Sequence, residues 1–72
     1  MNEWTVRMLP LSYPILRFFT YSHLPEHLQA LSRPFGELAY EMAGRPGGYS
    51  AEVDAGLRKL LEAKDCFVRA AL

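Results

Sequence analysis

A proline inside an otherwise regular apolar stripe is the feature that most narrows what this chain can fold into. From Leu24 the large apolar residues stand at Leu24, Leu28, Leu31, Phe35, Leu38 and Met42. They alternate four and three apart, the spacing of one helical face. Pro34 falls within that run. It removes one helical hydrogen bond and crowds the carbonyl four residues earlier, yet the stripe keeps its register across it, so the expectation is a helix kinked near Pro34 and not a loop. Pro25 suits the first helical position, Glu26 behind it faces the positive end of the helix dipole, and Gly44 is the natural stop.

The turn-rich segment Ala43-Gly44-Arg45-Pro46-Gly47-Gly48-Tyr49 leads to Ser50, an N-cap for a second helix with Glu52 and Asp54 in its first turn. The apolar face of that helix is Val53, Leu57, Leu60, Leu61, Phe67, Val68 and Ala71. A connection this short predicts an antiparallel two-helix hairpin, so the fold class is all-α. We divide the chain into an apolar N-terminal arm, residues 1–18, and a helical hairpin domain, residues 19–72. The arm carries Trp4, Met8, Leu9, Leu11, Tyr13, Ile15, Leu16 and Phe18. Pro10 and Pro14 forbid one long regular helix there, while Pro14 can open a short turn. Such an arm docks on its own hairpin or on a neighbouring copy, and the smallness of the hairpin favours the neighbour.

Half of the 72 residues are hydrophobic and 12% are aromatic, too apolar for a disordered chain and more than a two-helix domain can bury alone. Leu61, Val68 and Tyr40 need partners beyond the hairpin, which predicts a homo-oligomer. Eight basic and eight acidic residues give no net charge, which excludes the broad basic footprint of a duplex nucleic-acid binder but leaves room for a small anion. A single cysteine excludes an internal disulfide and fits a reducing, cytoplasmic compartment. The run Met8 to Phe19 is too short and too broken to span a bilayer, so no membrane partner is expected.

Catalytic candidates are few. His23 and His27 are four apart, as metal ligands on one helix can be, but His23 precedes Pro25 and no third ligand faces them; a surface pair is the ordinary reading. Cys66 beside Phe67 reads as a buried, inert thiol. Glu37 and Glu41 read as a solvated face, and the Gly44–Gly48 stretch lacks the lysine and hydroxyl of a P-loop. No cofactor or metal is expected.

Binding candidates are better. Phe19, Tyr21 and His23 alternate just ahead of a helix start, an extended strip on which a base can stack, with free helical N–H groups beside it for phosphate. Phe19 reads as core, whereas Tyr21 suits either core or ligand. Arg33 at the proline could hold a phosphate or simply face solvent. Lys64 occupies an apolar-face position between Leu60 and Phe67, where it either snorkels along an interface or meets a buried anion. Arg69 can pair with Asp65.

The runs Phe19-Thr20-Tyr21-Ser22-His23-Leu24-Pro25-Glu26-His27-Leu28-Gln29, Ser32-Arg33-Pro34-Phe35-Gly36-Glu37-Leu38-Ala39, and Ala55 through Ala71 resemble the hairpin domain of phage anti-defence sponges. That family includes the anti-CBASS cyclic-oligonucleotide sponges and the related Thoeris anti-defence sponges. The resemblance covers the chain from Phe19 onward. It implies a non-enzymatic homo-oligomer, typically a hexamer, that acts in the cytoplasm of the infected bacterial host. Its ligands would be cyclic dinucleotides, cyclic trinucleotides or cyclic ADP-ribose isomers, held between protomers. It further implies that Tyr21 stacks on a base, with Arg33 the basic residue nearest the family's helical cation. Pro34 stands about where other members have a lysine. Gly36 replaces a cysteine or alanine and would let a base or a second helix approach. Arg69 matches the family's closing motif and becomes the candidate for a second pocket.

Overall fold

A computed structural model describes residues 3–72, with side chains from Met8 onward. Trp4, one of the apolar residues assigned to the arm, has its side chain outside that range. The described residues form three α-helices and one short 3-10 helix: α1 (Glu3–Ser12), the 3-10 segment (Pro14–Phe19), α2 (Glu26–Ala43) and α3 (Ala51–Ala70). The arm is thus helical over most of its length. No one long helix runs through it, as its prolines require: α1 contains Pro10 and ends at Ser12, and Pro14 opens a short 3-10 segment as expected.

α2 runs without interruption through Pro34. Its start lies one residue later than expected. Pro25 has an extended ψ of 151°, so it stands outside the helix, where its carbonyl accepts from the Leu28 and Gln29 N–H groups, both at 2.9 Å. Gly44 ends the helix as expected, its N–H donating to the Tyr40 carbonyl at 2.9 Å. It does so at a φ of −83°, while the left-handed conformations fall later in the turn, at Gly47 and Gly48 with φ of 125° and 71°. Ser50 caps α3, its hydroxyl accepting from the Val53 N–H at 3.3 Å.

The core is built around the 3-10 segment, which touches all three α-helices. A 3-10 helix repeats every three residues, so Tyr13, Leu16 and Phe19 fall along one edge. All three are buried and meet Ala39, Ala43 and Leu57. The second half of the arm therefore docks on its own chain, where the small size of the hairpin had favoured a neighbour. The reason lies on α2, whose most buried line is Leu28, Ser32, Gly36, Ala39 and Ala43. Small side chains there let the segment lie close to the helix axis. The bulkier stripe is displaced to the flank of that line, with Leu38 39% exposed. The Ser32 hydroxyl is buried and finds no hydrogen-bond partner among the described residues.

α2 and α3 pack on each other, with Phe35 and Phe67 ring centroids 5.7 Å apart. Tyr13 fastens the intervening turn. Its hydroxyl accepts from the Ser50 N–H at 2.9 Å and lies 3.4 Å from the Gly48 carbonyl, and its ring stacks on Tyr49 with centroids 5.4 Å apart. Leu61, Val68 and Tyr40 are half-buried within the chain. Large apolar side chains remain outside, including Leu11, Phe18 and Phe67 at 72%, 66% and 55% exposure.

Candidate ligand-binding site

After Phe19 the chain leaves the 3-10 segment in an extended conformation at Thr20, whose hydroxyl donates to the Arg17 carbonyl at 3.2 Å. It then crosses α2 at Gly36. A Cβ on Gly36 would stand 3.1 Å from the Phe19 carbonyl oxygen and 3.4 Å from Cε1 of Tyr21. A methyl group there would make the Phe19 carbonyl give by a few tenths of an ångström, and glycine lets the strip lie low without that shift. The turn that follows is closed by the Leu24 N–H donating to the Tyr21 carbonyl at 3.0 Å. Gln29 on α2 ties it down, its amide donating to the carbonyls of Leu24 and Ser22 at 2.7 and 3.3 Å.

Tyr21 is consequently held half-buried against the helix, beside an open cavity of about 430 Å³ bordered by Phe19, Ser22, Gly36, Glu37 and Tyr40. Arg33, outside that lining, donates from Nε to Oε1 of the bordering Glu37 at 2.7 Å, one turn away on α2. The Glu37 hydrogen bond and charge hold the guanidinium more firmly protonated than usual, and Tyr21 adds to that effect. Burial pushes the Tyr40 hydroxyl above its ordinary value, so it stays a neutral donor. The site offers an aromatic face, two phenols, and a guanidinium whose charge is matched by a carboxylate.

Of the residues singled out in the sequence, Tyr21 and Gly36 border this cavity, and Arg33 is joined to it only through its pair with Glu37. His23 is exposed on the turn before α2, and Pro34 is exposed beside Arg33; neither borders the cavity. What approaches Gly36 is the chain's own strip. Lys64 lies on α3, where its Nζ donates to the Phe18 carbonyl at 3.1 Å and pairs with Asp65 at 3.0 Å. Arg69 is further along α3. The Arg69–Asp65 pair expected from spacing is not formed: Asp65 is taken by Lys64, and Arg69 donates to Cys66 Sγ at 3.3 Å. Cys66 itself is exposed, not buried: nine residues on from the buried Leu57, it falls on the opposite side of α3. His27 is exposed as well, and no group of three potential metal ligands occurs among the described residues.

Glu37 and Tyr40 were not anticipated as site residues. Tyr40 follows Gly36 by one turn, so the signal was the helical spacing from the glycine. Two larger clefts lie elsewhere among the described residues. One, of about 670 Å³, is apolar and lies between α2 and α3 under the 45–48 turn; the other, of about 710 Å³, lies between the 3-10 segment and α3. Neither joins an aromatic strip to a glycine crossing. No family model, curated protein or solved structure matches this chain.

Proposed function

We propose that this chain is a phage anti-defence protein that sequesters bacterial cyclic oligonucleotide immune signals without cleaving them, so that CBASS or Thoeris effectors are never switched on. The observation that carries the reading is the placement of the Tyr21 ring across Gly36, beside an open cavity whose bordering Glu37 is paired to Arg33. It joins the sequence resemblance to a site of suitable chemistry. A base stacks on the phenol, and Arg33 exchanges its carboxylate partner for a phosphate oxygen. At about 430 Å³ the cavity is near the small end of ligand pockets and suits one nucleotide of a ring. The remainder is gripped by another copy, which a symmetric ligand favours.

In this reading antiparallel α2–α3 hairpins assemble, with a hexamer the form the resemblance implies. Arg69 serves a second pocket, and His23, next in sequence to the lining residue Ser22, and Pro34 flank the first without bordering it. The protein works in the cytoplasm of the infected host. Sequestration needs affinity and slow release, which rigid stacking in a preformed site supplies.

The exposed Leu11, Phe18 and Phe67 favour a second reading, a helical assembly module with no nucleotide ligand. Calorimetry of the purified protein with cyclic dinucleotides, cyclic trinucleotides and cyclic ADP-ribose isomers separates the two, followed by denaturation and analysis of what is released. Intact ligand is the expected result. Cleaved ligand indicates an enzyme, and absence of heat with every ligand indicates the assembly module. Tyr21→Ala should weaken one ligand class at least tenfold, the order expected from about 1–3 kcal/mol per stacked base, with the oligomer mass unchanged. Unaltered affinity for every ligand would place the pocket elsewhere.

A further inference from the structure

Lys64 is the one cation that reaches from α3 to the backbone leading into the Tyr21 strip. Its side chain is only 12% exposed, although it sits where the helical pattern calls for an apolar residue. The stem is covered while the ammonium lies at a solvent-exposed bond, and there it has two partners, the Phe18 carbonyl at 3.1 Å and Asp65 at 3.0 Å. Three residues past that carbonyl is Tyr21. Between them the Phe19 ring is buried in the core and the Phe19 carbonyl rests on Gly36. The strip is therefore fastened to α3 on one side and to α2 on the other.

We propose that Lys64 is a positioning residue for the Tyr21 site: by fixing the Phe18 carbonyl from α3 it sets how the Tyr21 ring lies over Gly36. The inference rests on the binding function proposed above for its consequence, but not for its geometry. Lys64 contacts no ligand in this account. Occupied by the Phe18 carbonyl and Asp65, its ammonium holds the strip in the conformation that presents the ring. A preformed stacking surface spares the ordering cost that a loose strip would incur on binding.

The test compares Lys64→Met, which keeps an apolar stem but removes the donor, with Lys64→Arg, which keeps a cationic donor. The first readout needs no ligand: nuclear Overhauser contacts between the Tyr21 ring and the Gly36 α protons, with Phe35–Phe67 ring contacts as an internal control of the fold. In Lys64→Met the Tyr21–Gly36 contact should fade while the Phe35–Phe67 contact persists, and Lys64→Arg should restore it. The second readout is affinity for 3′,3′-cyclic GMP–AMP, expected to fall about tenfold in Lys64→Met and to recover in Lys64→Arg. A Tyr21–Gly36 contact of wild-type strength in Lys64→Met overturns the proposal, and if affinity falls all the same, Lys64 touches the ligand directly. Should wild-type protein bind no cyclic nucleotide, the proposed function fails, while the contact measurement still decides whether Lys64 positions the strip.

Discussion

Glu37 and Gly36 are adjacent on α2 and act on the Tyr21 cavity in opposite ways. Glu37 places a carboxylate at the cavity and occupies Arg33, so an anionic ligand must displace it. The Arg33–Glu37 pair is largely exposed, so solvent screens it and it adds little to stability. Glu37→Gln should therefore raise affinity for a cyclic dinucleotide by about two- to fivefold in calorimetry, and leave thermal stability nearly unchanged. Gly36 gives the strip its seat. Gly36→Ala gains about 1 kcal/mol of helix propensity, but its methyl group meets the Phe19 carbonyl oxygen at 3.1 Å. That oxygen cannot retreat easily, because the Phe19 ring is in the core and the preceding carbonyl is bonded to Lys64. Overpacking costs about 1–3 kcal/mol, so the expected net loss is about 1 kcal/mol, read from urea unfolding, together with weaker ligand binding.

At the scale of elements, the turn after α2 depends on a residue far away in sequence. The Tyr13 hydroxyl accepts the Ser50 N–H at the start of α3 and lies within reach of the Gly48 carbonyl. Tyr13→Phe keeps the buried ring and loses this bond, so the protein should be destabilised by about 1–2 kcal/mol in denaturant unfolding with its helix content intact. Both long helices were legible in the sequence, since Gly44 and Ser50 are strong punctuation and the apolar spacing is regular. Less legible was which line of α2 is most deeply covered. A pattern of large apolar residues points to Leu24 through Met42, whereas Ser32, Gly36, Ala39 and Ala43 permit the closest approach and carry little hydrophobic signal. The Tyr13, Leu16 and Phe19 repeat of three was also present, but the flanking prolines suggested irregular chain. As for the site, a glycine in mid-helix costs stability and so points to a close neighbour. That the neighbour is the strip itself, and that Lys64 fastens it, depends on how α3 folds back, which local sequence does not encode.

The whole molecule is thin, 15 Å along its shortest axis against 37 Å along its longest, little more than one helix diameter. It exposes 5142 Å², where a compact chain of 8.2 kDa would expose roughly 4,500 Å². Leu11, Phe18 and Phe67 contribute to that excess, and self-association is the expected way of covering them. Sedimentation at micromolar concentration should give a multiple of the chain mass, and Phe18→Glu should reduce it; a wild-type protein that sediments as a single chain would remove the inter-copy half of the proposed site. Position 66 makes the same question answerable at much lower concentration. Because Cys66 is the sole thiol and faces outward from α3, each chain accepts one maleimide dye without mutagenesis, and mixing two colours would report by energy transfer when copies meet and how fast they exchange.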